Sequence, residues 1–253
     1  MTDVVARGSL PTAARRVRGP AYAVMMECLR IQASARRPSP LARLFGKNPM
    51  LPDARTWYRG ALGEIRVAKV LAGLGPEWTV LHSDGAPALL LGPAGAFTVA
   101  TKNHSRQRVW VGDDTILVNG HRTNHVRDAR HDARAIAHVL GIPVTPVIAI
   151  VDPGHLDIKA RPDGVEVLAA SQLAPYLSRR KPRLDSVDAL LALATAGAWS
   201  ADVYDETLRH EARFARLVAE VESAARRRAV WASVASAVMV AVVLAATQLG
   251  AGL

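Results

Sequence analysis

An α/β domain followed by one membrane-spanning helix is the fold class that the sequence predicts, and three observations carry it. Between residues 57 and 151, stretches of helical period alternate with short β-rich runs. Residues 229–249 form an uncharged, almost wholly apolar run. The 253 residues are 50% apolar and include one cysteine, which suits a packed core and excludes a disulfide scaffold or a cysteine-built zinc module. A mean hydropathy of +0.11 alongside 21% charged residues shows that the apolar side chains are concentrated in places.

Residues 1–54 read as a basic, partly disordered leader with one short helix near Tyr22 to Gln32. Residues 1–60 hold 11 basic and 3 acidic side chains, whereas residues 151–253 hold 12 of each. Arg15, Arg16, Arg18, Arg36, Arg37, Arg43 and Lys47 lie among prolines; anionic lipid is their nearer expected partner and nucleic acid the other. The first residues lack an apolar core of the secretory type.

Residues 55–180 form the expected folded domain. WYRGALGEIRVAKVLAGL, from Trp57 to Leu74, carries an apolar stripe of helical period through Leu62, Ile65, Val67, Ala68, Val70 and Leu71, ended by Gly73 and Gly75. Short strands are predicted at Trp78–Leu81, Leu89–Leu91 and Ala96–Ala100, separated by Gly92-Pro93 and Gly95. Arg108–Val111 and Thr115–Val118 read as a strand pair followed by an Asn119-Gly120 turn. A helix over Asn124–Leu140 then buries Val126, Ala129, Ala133, Ala137 and Leu140, and Val144–Val151 suits the centre of a sheet. Helix, strands, helix and buried strand together describe an α/β sandwich.

Beyond Asp152 the pattern gives an edge strand at Gly164–Leu168 and a short helix at Ala170–Leu177. Residues 181–228 read as a helical stalk, with one helix at Ser186–Ala196 and a long amphipathic one at Asp202–Arg228 whose stripe runs through Leu208, Ala212, Ala215, Val218, Val221 and Ala225. From Ala229 to Leu249 the run AVWASVASAVMVAVVLAATQL holds no charge. At about 1.5 Å per residue it spans roughly 30 Å, the thickness of a bilayer's hydrocarbon core. Arg226, Arg227 and Arg228 abut it and Trp231 sits at interfacial depth, so the expectation is a single-pass tail anchor with the preceding domain in the cytoplasm. Ala229, Ser233, Ala237, Ala241 and Ala245 form a small-residue ridge, which adds a homodimer through the stalk and membrane helix as a second expectation.

The motifs RGALGEIRVAKVL, LLLGPAGAFTVATKN, the Asn119-Gly120 turn and VTPVIAIV together resemble the nuclease-related domain (NERD) family. The resemblance covers about Trp57 to Val151 and continues more weakly through Asp163 to Leu177. It implies a restriction-endonuclease-like α/β/α core with a mixed sheet, and a catalytic trio in which Glu64, Asp84 and Lys102 are the matching or displaced members. Such a nuclease needs one acid before the GPxGxF element and another two residues before the lysine, because Mg²⁺ or Mn²⁺ takes hard oxygen ligands. Here the second position is Ala100 and the first is Pro87, so the implied centre is degenerate. No metal site and no cofactor are expected unless an altered site works with Mg²⁺ or Mn²⁺. The leading expectation is a domain that binds without cutting; a rearranged nuclease and a protein-binding membrane scaffold are the alternatives.

Arg127, Arg130 and Arg134 share one face of the Asn124–Leu140 helix, with Arg122 just before it. This face is the candidate nucleic-acid surface, although acidic residues elsewhere in the fold would satisfy it equally. His121, His125, His131 and His138 lack the i, i+4 pairing of a zinc motif.

Overall fold

A computed structural model of the chain describes residues 19–82, 86–184, 187, 190–191 and 204–250. In chain order the elements are α1 (Tyr22–Gln32), α2 (Pro40–Leu44), α3 (Ala54–Leu71), β1 (Thr79–Leu81), β2 (Ala88–Gly92), β3 (Gly95–Asn103), β4 (Arg108–Gly112), β5 (Thr115–Val118) and β6 (His121–Thr123). They continue with α4 (His125–Leu140), β7 (Val144–Val151), β8 (His155–Ile158), β9 (Glu166–Ala169), a 3₁₀ turn over Ala170–Gln172, α5 (Leu173–Ser178) and α6 (Tyr204–Gly250). These residues fall into two compact units, one drawn from Met1–Ala21 and Gly63–Thr207, the other from Tyr22–Leu62 and Leu208–Leu253.

The first unit is α/β with two mixed sheets. Its main sheet has the order β1-β2-β3-β7-β9, antiparallel through β3 and parallel from β3 to β9. Parallel pairing of β3 with β7 requires a crossover, and α4 lies within it. Side chains alternate between the faces of the sheet. Phe97 and Val99 of β3 and Val147, Ala149 and Val151 of β7 pack with Val67 and Leu71 of α3. On the opposite face Ile148 and Ile150 pack with Val126 and Ala129 of α4, and Ala96 packs with Ile136 and Leu140. Burying each large side chain contributes roughly 1.5–3 kcal/mol, so β3 and β7, covered on both faces, form the anchor of the unit.

The second sheet, in the order β6-β5-β4-β8, extends the predicted strand pair at both edges. Asn119 and Gly120 adopt φ values of 50° and 86° between β5 and β6, the left-handed pair that a two-residue hairpin of Asn-Gly favours. Val109, Val111 and Ile116 of this sheet join Val126 and Ala129 in one cluster. Helix α4 ends where the sequence predicts, at Leu140, with Gly141 in the left-handed C-cap conformation at φ 66°. Strand β3 runs to Asn103, three residues past the predicted end, which places Lys102 inside the ladder opposite Ile150.

Helix α6, which belongs to the second unit from Leu208 onward, is continuous over 47 residues, so the long amphipathic stretch of the predicted stalk and the apolar run after it are one helix. Its buried seam differs from the expected stripe: Phe214, Leu217 and Ala224 are buried while Leu208 is exposed. The seam turns toward Phe214 because that ring has the most apolar area to cover, and Tyr58 meets it with ring centroids 5.7 Å apart. The leader contributes more than one helix. Alongside α1, it supplies the short α2, capped by Ser39 Oγ, which accepts a hydrogen bond from the Ala42 N–H. Cys28 is fully buried, and burial pushes its thiol up to about 11. The leader before residue 19 and most of the expected Ser186–Ala196 helix lie outside the described residues, although Leu190 packs with the α4 end of the main sheet.

Candidate functional site

Lys102 projects from the same side of β3 as Ala100, since their partners across the ladder, Ile150 and Ile148, both pack against α4. No carboxylate oxygen lies within 4.0 Å of its amine among the described residues. What surrounds that end of the strand is a histidine pair. His104 follows β3 directly and His125 opens α4; their rings stack with centroids 5.2 Å apart. Nε2 of one ring lies 3.0 Å from Nε2 of the other, so one donates and one accepts, which requires at least one neutral ring. Nδ1 of His104 lies 3.0 Å from Gln107 Oε1 and donates to it. His125 is pushed down to about 4, first by burial and then by the charges of Lys102 and His104, with Asp128 pulling weakly the other way. His104 is also lowered, chiefly by burial, against the hydrogen bond to Gln107.

Glu64 belongs to α3, on the other side of the sheet. The helix reaches β3 closely because Gly63 carries no side chain: a Cβ there would stand 3.0 Å from Asn103 Cβ. Glu64 lines a small cavity of about 50 Å³ with His82, Pro87, Val99 and Thr101 among its walls, room for one or two waters. Burial raises the Glu64 carboxyl, while the Lys102 charge and a hydrogen bond donated by the Ala21 backbone N–H pull it back. His82 is pushed down to about 4 by burial. Glu64 and Lys102 therefore feel each other electrostatically but are presented from opposite faces of β3. Asp84, the third member of the expected trio, lies outside the described residues.

Mg²⁺ or Mn²⁺ is the ion that the nuclease alternative would require. Such ions take several oxygen ligands, with at least one carboxylate held at the reacting centre. Among the described residues, the Lys102 charge acts on His104 and His125, and Glu64 is the carboxylate that lines the small cavity. No three His, Cys, Asp or Glu side chains among the described residues converge on one point.

The arginine face divides. Arg130 is committed to the fold: it donates to Asp114 Oδ1 at 2.6 Å and to the Asp163 carbonyl oxygen from Nε at 3.1 Å. This is the intramolecular acid that sequence could not separate from a phosphate. Among the described residues Arg127 pairs with its neighbour Asp128, at 3.4 Å. Arg122 and Arg134 are exposed, and neither forms an ion pair among the described residues.

The His104–His125 pair and His82 had no signal in the sequence. Histidines 21 residues apart meet only because the end of β3 is brought to the first turn of α4, and no spacing rule encodes that. Compared with protein-family models, curated proteins and solved structures, the chain matches none.

Proposed function

We propose that this chain is a membrane protein, anchored through α6, whose α/β unit is a NERD-like frame without cleavage chemistry that binds an anionic partner, nucleic acid being the class its exposed arginines suit. The observation that carries the reading is the environment of Lys102: the position two residues before it is Ala100, on the same face, and no described carboxylate reaches its amine. A lysine without an adjacent acid can attract a phosphate but cannot place a metal-bound water against it. Loss of one transition-state electrostatic contact typically costs about 10² to 10³ in rate, so loss of both acids brings cleavage to background. Arg122, Arg127 and Arg134 then supply the binding face, with Arg130 holding the loop behind it.

The test uses the full chain in non-ionic detergent with single- and double-stranded DNA and RNA. Expected are no cleavage above that of a Lys102→Ala control with Mg²⁺ or Mn²⁺, and retention that falls steeply with salt. Arg127→Ala combined with Arg134→Ala should reduce the salt slope by about two, whereas Arg130→Ala should chiefly lower the melting temperature. Cleavage that disappears in Lys102→Ala would replace this reading with a rearranged nuclease.

A further inference from the structure

The second unit contains a cavity of about 760 Å³, within the range of small-molecule sites, about 300–1,000 Å³. Four of its walls are cationic, namely Arg37, Arg43, Lys47 and Arg227, against one carboxylate, Glu220. No ion pair joins any of those four cations to a described carboxylate. Arg227 donates instead to the Arg43 carbonyl oxygen at 2.9 Å, and neighbouring Arg228 to that of Gly46 at 2.6 Å. These bonds hold the α2 segment against α6 and leave the guanidinium groups of Arg37 and Arg43 and the Lys47 amine exposed.

The position of this cavity along α6 is informative. Its α6 walls run from Glu220 to Arg227, and the uncharged run starts at Ala229. At about 1.5 Å per residue these walls lie roughly 3–14 Å before the apolar stretch, which overlaps the headgroup layer if Ala229–Leu249 crosses a bilayer. On the membrane side of the cavity, α2 and the residue after it show an apolar edge: Leu41 is 69% exposed and Phe45 55%. Trp231, on the first turn of the run, donates from Nε1 to the Leu44 carbonyl oxygen at 3.0 Å and meets Phe45 in a tilted ring contact with centroids 4.9 Å apart. An aromatic pair and two exposed leucines at this depth form an interfacial anchor with a cationic cavity directly above it.

We propose that this cavity binds the phosphate-bearing headgroup of an anionic phospholipid, with Leu41, Leu44 and Phe45 seated among the first acyl carbons. The proposal rests on the reading of α6 as a membrane anchor. A lipid is the occupant favoured over nucleic acid because the cations open beside an exposed apolar edge, which a lipid satisfies at both ends and a polynucleotide does not. Arg37, Arg43 and Lys47 contact the phosphate; Arg227 shapes the wall through its bond to Arg43.

Full-length chain in a non-ionic detergent is mixed with equal amounts of phosphatidylglycerol and phosphatidylcholine, and retained lipid is counted by native mass spectrometry. Expected is a preference for phosphatidylglycerol that falls at least about tenfold in Arg37→Gln with Arg43→Gln and Lys47→Gln, while a control with Lys69→Gln, Arg179→Gln and Lys181→Gln keeps it. Equal retention of the two lipids, or an unchanged preference in the first variant, overturns the proposal. So does displacement of the lipid by an oligonucleotide, which would make the cavity a nucleic-acid site, or by inorganic phosphate at millimolar concentration, which would assign it to a soluble phosphate compound. Alkaline carbonate extraction of the same proteins from membranes separates the two readings. A wild type released by carbonate sinks the membrane anchor, whereas a carbonate-resistant chain without lipid preference sinks the cavity alone.

Discussion

His82 and His125 show how burial changes a residue that the sequence presents as ordinary. Both are held near 4, against an ordinary value of 6.5, first because burial disfavours the charged ring. Between these two values the unfolded chain takes up protons that the folded chain refuses. The stability they contribute is therefore fully present above about pH 6.5 and is lost as pH falls through 4. Glu64 runs in the opposite sense: its raised carboxyl favours the folded state at low pH, and that contribution is lost as pH rises above its ordinary 4.5 toward its folded value. Above 4.5 these two rings, joined by His104 in the same sense, oppose one carboxyl, so the urea midpoint of the full chain in detergent should fall from pH 8 to pH 5. Each histidine should account for on the order of 1 kcal/mol. His82→Leu or His125→Gln should flatten that fall, and a slope identical to wild type in both variants would remove these rings as its cause.

At the scale of elements, what the sequence made legible was local. The apolar run of β7, the Asn119-Gly120 turn, the end of α4 at Leu140 and the main span of α3 follow from periodicity and turn chemistry, and each appears where those rules place it. What was not legible depended on distant partners. HLDI and HRT, the sequences of β8 and β6, are too polar and short to announce strands; β8 becomes one only by pairing with β4, whose partner residues lie 47 positions earlier in the chain. The candidate site divides in the same way. Lys102 was found by motif, but its face follows from its place in the β3–β7 ladder and that of Glu64 from the packing of α3 on the other side of the sheet, and the acid that claims Arg130 comes from a turn between β4 and β5. The α2 segment adds a test of its own. Gly46 has φ +72°, and a Cβ there would lie 2.5 Å from the Ala224 carbonyl oxygen and 2.7 Å from the Arg228 nitrogen, both backbone atoms that cannot yield. Gly46→Ala should cost about 2 kcal/mol or more and detach the α2 segment from α6. Limited proteolysis should then cut near residues 40–48 much faster than in wild type, and equal cutting rates would show that this close packing does not hold the segment.

For the molecule as a whole, α6 raises a question of solvent. Over Phe214 to Ala224 one face of the helix is covered by protein, but beyond Arg228 no side chain described is buried, and Val238 and Met239 are 58% and 65% exposed. The helix is long and apolar enough to cross a membrane, and none of its most apolar window is covered by the chain itself. Water is a poor solvent for that surface: at about 25 cal/mol per Å² the exposed aliphatic side chains alone represent many kcal/mol of unfavourable hydration. Lipid removes that cost, and the helix satisfies its own backbone while doing so. A charge at mid-span tests the argument directly, because an arginine there costs about 2.5–3.5 kcal/mol on insertion scales. Wild-type chain should resist extraction from membranes by alkaline carbonate. Val238→Arg should move a measurable fraction into the soluble phase, whereas Leu208→Arg, on the exposed side of the same helix well before the apolar run, should not. Release of the wild type itself would mean that a protein partner, rather than a bilayer, covers this face, and equal behaviour of the two arginine variants would show that the position of the charge along α6 carries no meaning.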